Sequence, residues 1–282
     1  MNDDNTLRAL TVELASSAPD APPMPDLREE SRTPWHSGPR LAIAIAVVAV
    51  AVPLVLATMW ASLGTRTPVD EAAATADLFS AAGATAVAVV SDDETVLRGY
   101  LWQGGSHGVV LTQGFGSDST SIVRLATAAH REGATVLLFE PRGTGQSEGE
   151  ANPLKLEPDM RAAVADLTTR GVTSVSIMAF RHSGTALFEI VADPMPELRD
   201  AVAVFPFVRY QNLDAGDSLA RAKVPITLVG VQHPSPSGPA IYDLAALAPE
   251  AATVIYDYPG DAVPLLDATM DNLLDLVRQH AR

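Results

Sequence analysis

Short apolar, β-branched runs alternate with helical stretches from about residue 84 to the C-terminus. The strand-like runs lie at residues 85–90, 96–102, 108–113, 134–140, 174–180, 200–206, 225–231 and 253–258. Helical stretches lie at residues 121–133, 157–171, 185–193 and 265–281. Strands that alternate with helices favour a parallel sheet covered by crossover helices. The first two strands are separated only by the polar segment SDDET, so we expect them to form an antiparallel hairpin.

A second feature that limits the possible structures is the uncharged segment LAIAIAVVAVAVPLVLATMWASL at residues 41–63. At ~1.5 Å per helical residue, it is long enough to cross the ~30 Å hydrocarbon core of a bilayer. The alternatives are a buried core helix, which would need a polar face, and a cleaved signal peptide, whose apolar stretch is usually only 7–15 residues long. The sequence therefore predicts a retained single-pass membrane anchor.

Charges around this segment predict its orientation. Arg28, Arg32 and Arg40 precede it, whereas Arg66 is the only nearby cation after it and is followed by acidic residues. Because positive charges are enriched on the cytoplasmic side, we expect the N-terminus in the cytoplasm of a cell-membrane protein and the C-terminal domain outside. The predicted parts are a disordered, proline-rich cytoplasmic tail (1–40), a transmembrane helix (41–63), a juxtamembrane linker (64–83) and the outer domain (84–282).

Composition excludes several classes of function. The formal net charge is −15, which argues against nucleic acid as a partner because phosphates attract lysine and arginine. The chain has no cysteine, so it has no disulfide, thiol nucleophile or thiolate metal site. We predict neither a cofactor nor a metal site.

Three segments of the outer domain carry a family resemblance. They are HGVVLTQGFGSD, GATVLLFEPRGTGQSEG and SVSIMAFRHSGTAL, in this order along the chain. Together they resemble the α/β-hydrolase superfamily, in which a strand ends in a His-Gly-x-Gly-like turn, the next enters a glycine-rich loop, and a third turns into a helix at the nucleophile. The resemblance implies a mostly parallel eight-stranded sheet with helices on both faces. Because only 18 residues separate Pro206 from Pro225, it also implies a nearly lidless domain.

The catalytic positions of the family are substituted in this sequence. The family pattern at the nucleophile, Gly-x-Ser-x-Gly, falls on Ala179 to Ser183 and places Arg181 where the serine belongs. An arginine side chain stays protonated and cannot attack an acyl carbon. By the same resemblance, His233 stands at the position of the acid and Ala262 at that of the base. The resemblance thus implies a pseudoenzyme with a degenerate triad.

A ligand site can survive where the triad is lost. In the family, two backbone N–H groups form the oxyanion hole, and the resemblance assigns them to Phe115 and His182. With the guanidinium of Arg181 added, the pocket is predicted to be electropositive and to suit a carboxylate or phosphate. The predicted ligand-binding residues are therefore Phe115, Arg181 and His182, and the partner is a small anionic ligand or a protein. The alternative for Arg181 is that it points into solvent or pairs with a carboxylate.

Two other functions stay open on the sequence alone. One is an active esterase, lipase or peptidase with a relocated triad, for which Ser183 is the alternative nucleophile. Against it, the neighbours two residues from Ser183 are Arg181 and Thr185, which are bulky for a tight nucleophile turn. The other is a structural or interaction module of the cell envelope that binds no ligand.

Overall fold

The computed structural model of the protein describes residues 68–114, 119–232, 238–256 and 265–282. The predicted tail and transmembrane helix (1–63) and the positions Phe115, His233 and Ala262 lie outside the described residues. Within the part of the chain that is described, no helix has the length and hydropathy needed to cross a membrane.

The described strands form one large sheet and one small hairpin. The strands of the large sheet are β1 Thr85–Val90, β2 Val96–Trp102, β3 His107–Thr112, β4 Thr135–Phe139, β5 Ser174–Phe180, β6 Leu198–Val204, β9 Ile226–Val231 and β10 Ala252–Tyr256. The hairpin pairs β7 Arg209–Tyr210 with β8 Leu213–Asp214. The order in the large sheet is β1-β2-β4-β3-β5-β6-β9-β10. Strand β2 pairs antiparallel with β1 and β4, and all other pairs in this sheet are parallel.

Helices cover both faces of the large sheet. They are α1 Pro68–Ala81, α2 Val123–Arg131, α3 Leu156–Thr169, α4 His182–Ala192, α5 Gly216–Ala220, α6 Gly238–Leu247 and α7 Leu265–His280, with single 3₁₀ turns at Ser119–Ile122 and Pro153–Lys155. One apolar core contains side chains of α3, α4, α5 and α6. The second core, on the other face, contains side chains of α1, α2 and α7. The predicted mostly parallel eight-stranded sheet with helices on both faces is confirmed.

The eight predicted strands agree with the observed ones to within two residues at each end. The structure differs most in the interval 64–83, for which we predicted a linker, because α1 occupies most of it. This helix contains mainly alanine and acidic residues, and among its described side chains, those of residues 73–81, only Phe79 is buried. Phe79 is fully buried and stacks on Tyr100 with a centroid separation of 3.8 Å.

A buried ion pair joins the loop after β4 to α3 and to the β1–β2 turn. Arg142 donates from Nε and Nη2 to the two carboxylate oxygens of Asp159, at 2.9 and 2.6 Å. Its Nη1 donates to Asp93 at 2.8 Å, and the hydroxyl of Ser91 donates to Asp159. The side chain of Asp159 is completely buried, so each of its oxygens depends on these donors. The pKa of Arg142 is raised, first by its hydrogen bonds to Asp159.

We expect Asp159→Asn to lower the free energy of unfolding by about 3 kcal/mol or more, because it leaves the buried Arg142 guanidinium without its main counter-ion. The matched control is Asp166→Asn, which removes the partner of Arg170 from a surface pair four residues apart on the same helix. That change should cost less than about 1 kcal/mol. Thermal and urea unfolding followed by circular dichroism measure both. Equal losses in the two variants would contradict the role given to the buried pair.

Candidate functional site

The turn from β5 into α4 has the geometry of a nucleophile elbow. Strand β5 ends at Phe180 and α4 begins at His182, so Arg181 is the single residue between them. Its backbone has φ 52° and ψ −116°, a conformation that residues with a side chain rarely adopt. The backbone N–H of Arg181 donates to the carbonyl of Val204 on the neighbouring strand at 2.8 Å. The structure thus places Arg181 at the tip of a strained strand-to-helix turn.

Two glycines leave room for this turn. A Cβ added at Gly184 would lie 2.9 Å from the carbonyl oxygen of Ala179. A Cβ added at Gly114 would lie 3.0 Å from the Cβ of Arg181 and 2.9 Å from Nδ1 of His182. Real Cβ atoms do not approach other atoms so closely, and the turn after β3 therefore presses directly on the elbow. From the sequence we identified Ala179 and Ser183 as the small residues that the turn requires. In the structure, the residue of α4 that leaves no room for a Cβ atom is Gly184.

The side chain of Arg181 is exposed, and its guanidinium lies over an aromatic ring. Its guanidinium carbon is 5.7 Å from the ring centroid of Phe207, within the range of a cation–π contact. No carboxylate among the described residues lies within ion-pair distance of Arg181. Within that part of the chain, its positive charge is not neutralised by an acidic side chain.

His182 is buried under two aromatic residues. Its ring centroid lies 3.9 Å from that of Tyr210 and 5.1 Å from that of Phe207. Burial, and secondly the charge of Arg181, lower the pKa of His182 from 6.5 to about 4. The imidazole is therefore neutral at pH 7 and a weak base. The backbone N–H of His182, which the resemblance assigns to the oxyanion hole, lies in the first turn of α4.

Ser183 does not have the surroundings of a nucleophile. It is 1% exposed, and its hydroxyl donates to the carbonyl of Gln113 at 2.6 Å. Among the described residues, no histidine hydrogen-bonds to Ser183. The hydroxyl therefore holds the first turn of α4 against the end of β3.

The Ser–His contacts of the described chain lie at the opposite end of the sheet. His107 is 3.1 Å from the hydroxyl of Ser174 and 3.4 Å from that of Ser176, at the beginning of β3 and β5. His107, Ser176 and Arg199 converge on the carbonyl oxygen of His280, the last residue of α7. This cluster fastens the end of α7 to the sheet.

The segment after β6 packs against the first turn of α4, next to the elbow. The backbone N–H of Phe207 donates to the hydroxyl oxygen of Thr185 at 2.9 Å, and that oxygen lies 3.2 Å from the carbonyl of Arg181. The β7–β8 hairpin then carries Tyr210 onto His182 and is closed by a contact of 3.0 Å between Arg209 and Asp214. Sequence reasoning missed Phe207 and Tyr210. The available signal was the aromatic density of FPFVRY directly after a predicted strand.

The other predicted site positions lie outside the described residues. They are Phe115 for the second oxyanion donor, His233 at the acid position and Ala262 at the base position, and their roles stay predictions. Among the residues that are described, no three potential metal ligands come together.

Comparison with solved structures identifies the fold. The esterase Pf2001 from Pyrococcus furiosus matches with a TM-score of 0.58 and 16% identity over 70% of this chain and 91% of its own. Est1E from Butyrivibrio proteoclasticus matches with a TM-score of 0.56 and 13% identity over 69% and 96% of the two chains. A putative aryl esterase from Burkholderia cenocepacia matches with a TM-score of 0.56 and 13% identity over 70% and 99%. No protein-family profile matches the sequence, and no curated protein matches it. The chain has the α/β-hydrolase fold.

Replacement of Arg181 should reveal the strain of the elbow. Glycine adopts a positive φ without a steric cost, whereas alanine still has this cost because of its Cβ atom. We expect Arg181→Gly to be more stable than Arg181→Ala by about 1 kcal/mol, since both variants lose the same charge and only one relieves the backbone. Thermal melting of the two variants under identical conditions measures the difference. A less stable glycine variant would contradict a strained turn.

The burial of His182 predicts a dependence of stability on pH. Its folded pKa of about 4 lies below the usual 6.5, so its contribution is fully present above pH 6.5 and is lost as the pH falls towards 4. At about 1.4 kcal/mol per pKa unit, the loss amounts to about 3 kcal/mol. His182→Phe keeps an aromatic ring and removes the titration. Denaturant unfolding from pH 8 to 4 should show the wild type losing this much more stability than the variant, and parallel pH profiles would contradict the assignment.

Proposed function

We propose that this protein is a membrane-anchored member of the α/β-hydrolase fold that has lost catalysis and acts by binding a small anionic ligand or a partner at the elbow. One observation carries the proposal. Arg181 occupies the tip of the strained turn where a hydrolase of this fold presents its nucleophile, and its guanidinium is exposed there. A nucleophile site that holds a fixed positive charge suits the binding of an anion rather than attack on an ester.

The surroundings of Arg181 favour an anion for independent reasons. Helix α4 begins directly after Arg181, so its first N–H groups and the positive end of its dipole are adjacent to this residue. No described acidic side chain competes for the guanidinium. An anion seated here would accept hydrogen bonds from a charged side chain and from the backbone together, the arrangement that gives the stronger hydrogen bonds of proteins.

Loss of catalysis is supported by the state of the serine nearest to the elbow. Hydrolysis by a serine requires a base that removes the hydroxyl proton and a group that orients the base. The hydroxyl of Ser183 is buried and donates to a backbone carbonyl. The sequence places Ala262 where the base of the family belongs, and His233 where its acid belongs. An oxyanion hole without a triad gives only ~10³–10⁴-fold acceleration over water.

The membrane anchor rests on the sequence. Residues 41–63 contain no charge and are followed by an acidic segment, while three arginines precede them. The proposal therefore places the elbow outside the cell membrane, at the end of a chain tethered to it.

Labelling with a fluorophosphonate probe tests whether the protein is catalytically inactive. The alternative is an active serine hydrolase, which the similarity of its fold to that of esterases favours. We expect no labelling of the wild type, and none of Arg181→Ser, because a serine placed at the elbow would have no base to activate it. Ser183→Ala is the matched control, and intact-protein mass spectrometry detects the adduct. Labelling of the wild type that disappears in Ser183→Ala would overturn the proposal and establish a relocated nucleophile.

Protease accessibility tests the anchor and its orientation. When protease is added to intact cells, the C-terminal domain should be digested while a tag on the N-terminus survives. Permeabilised cells, in which both ends are digested, provide the control. Protection of the C-terminal domain in intact cells would contradict the proposed orientation, and release of the whole chain into the medium would contradict the anchor.

A further inference from the structure

The elbow carries a second feature besides its positive charge. His182, Phe207 and Tyr210 form a group of three neighbouring rings, with centroid separations between 3.9 and 5.7 Å. His182 is buried, whereas Phe207 and Tyr210 are half-buried and keep part of their surface open. A cation therefore lies next to aromatic surface that the described part of the protein leaves partly uncovered.

The elbow and the aromatic segment are joined through their backbones. Thr185 lies on the first turn of α4, and its hydroxyl oxygen accepts the N–H of Phe207 at 2.9 Å while lying 3.2 Å from the carbonyl of Arg181. This contact fixes the start of the aromatic segment to the elbow. The guanidinium carbon of Arg181 then lies 5.7 Å from the ring centroid of Phe207.

We propose that the anion bound at Arg181 is an aryl carboxylate, that is, a carboxylate attached directly to an aromatic ring. This inference rests on the proposed function and adds the class of ligand. The guanidinium lies 5.7 Å from the ring centroid of Phe207, which itself lies 5.7 Å from that of Tyr210, so a ligand held by the guanidinium lies next to this aromatic group. The rings supply the flat apolar surface that stacks with it.

The other anions that fit the charge use only part of this site. Inorganic phosphate accepts hydrogen bonds from Arg181 but has no apolar face. Acetate presents only a methyl group to the rings. Cyclohexanecarboxylate has the size of benzoate and lacks its π-system, so it separates stacking from simple burial of apolar surface.

Ligand-observed NMR on the full-length protein in detergent measures the dissociation constants, with protein-free detergent as the blank. The probes are benzoate, cyclohexanecarboxylate, acetate and inorganic phosphate. We expect benzoate to bind more tightly than cyclohexanecarboxylate by about 2- to 10-fold, the range of aromatic pairing beyond burial, and more tightly than acetate or phosphate. Phe207→Leu should abolish the preference for benzoate while acetate still binds.

Arg181→Gln should weaken the binding of every carboxylate by about tenfold or more, because it removes a charge-assisted hydrogen bond. Arg278→Gln is the matched control. It removes the same charge from the last turns of α7, whose end is fastened near the start of β3, at the opposite end of the sheet from the elbow. This control should leave all affinities unchanged.

The possible results distinguish a failure of the aryl-carboxylate proposal from a failure of the proposed anion site. Equal affinities for benzoate and cyclohexanecarboxylate, or tighter binding of phosphate, would overturn the aryl carboxylate and leave an anion site in place. Benzoate binding that survives Arg181→Gln, or no binding of any anion, would overturn both. The comparison of ligands on the wild type decides the class of ligand even if Phe207→Leu does not fold.

Discussion

The backbone of Arg181 is held at φ 52° and ψ −116°, and the geometry of the site depends on this one turn. Three contacts maintain it: Arg181 donates to Val204 on β6, Ser183 donates to Gln113 at the end of β3, and Thr185 joins the elbow to Phe207. Since these contacts come from different elements of the sheet, the turn does not depend on the side chain at position 181. The elbow can therefore hold an arginine at its tip.

Under the proposed function, the strained turn serves binding rather than catalysis. A second bulky residue with positive φ, Phe205 at 51°, lies at the end of β6, next to the elbow. Strained residues concentrate at functional sites, where the surrounding structure holds them in place. In this protein the turn presents a guanidinium instead of a hydroxyl. The proposed binding of an anion gives the elbow a role that does not require proton transfer.

Much of the fold could be predicted from the sequence, because buried parallel strands appear as continuous apolar runs such as SVSIMAF. The resemblance to the α/β-hydrolase superfamily also located the elbow at Arg181. The helix Pro68–Ala81 was missed, since it is alanine-rich and only Phe79 is buried among its described side chains. The rings beside the elbow were missed because the contact between His182 and Tyr210 joins residues 28 positions apart and exists only once the β7–β8 hairpin has folded. The partner of Ser183, 70 residues away in Gln113, is likewise set by the tertiary structure.

The central claim is that Arg181 binds an anion at the elbow, and the NMR signal of its own side chain tests this most directly. The ¹⁵N–¹H resonance of its Nε can be assigned by its disappearance in Arg181→Gln and followed while acetate is added to the full-length protein. The account predicts a saturable change of this resonance at a ligand concentration that leaves the resonance of Arg278 in place. A Nε resonance of Arg181 that stays fixed while acetate binds elsewhere, or that changes in parallel with every exposed arginine, would contradict it.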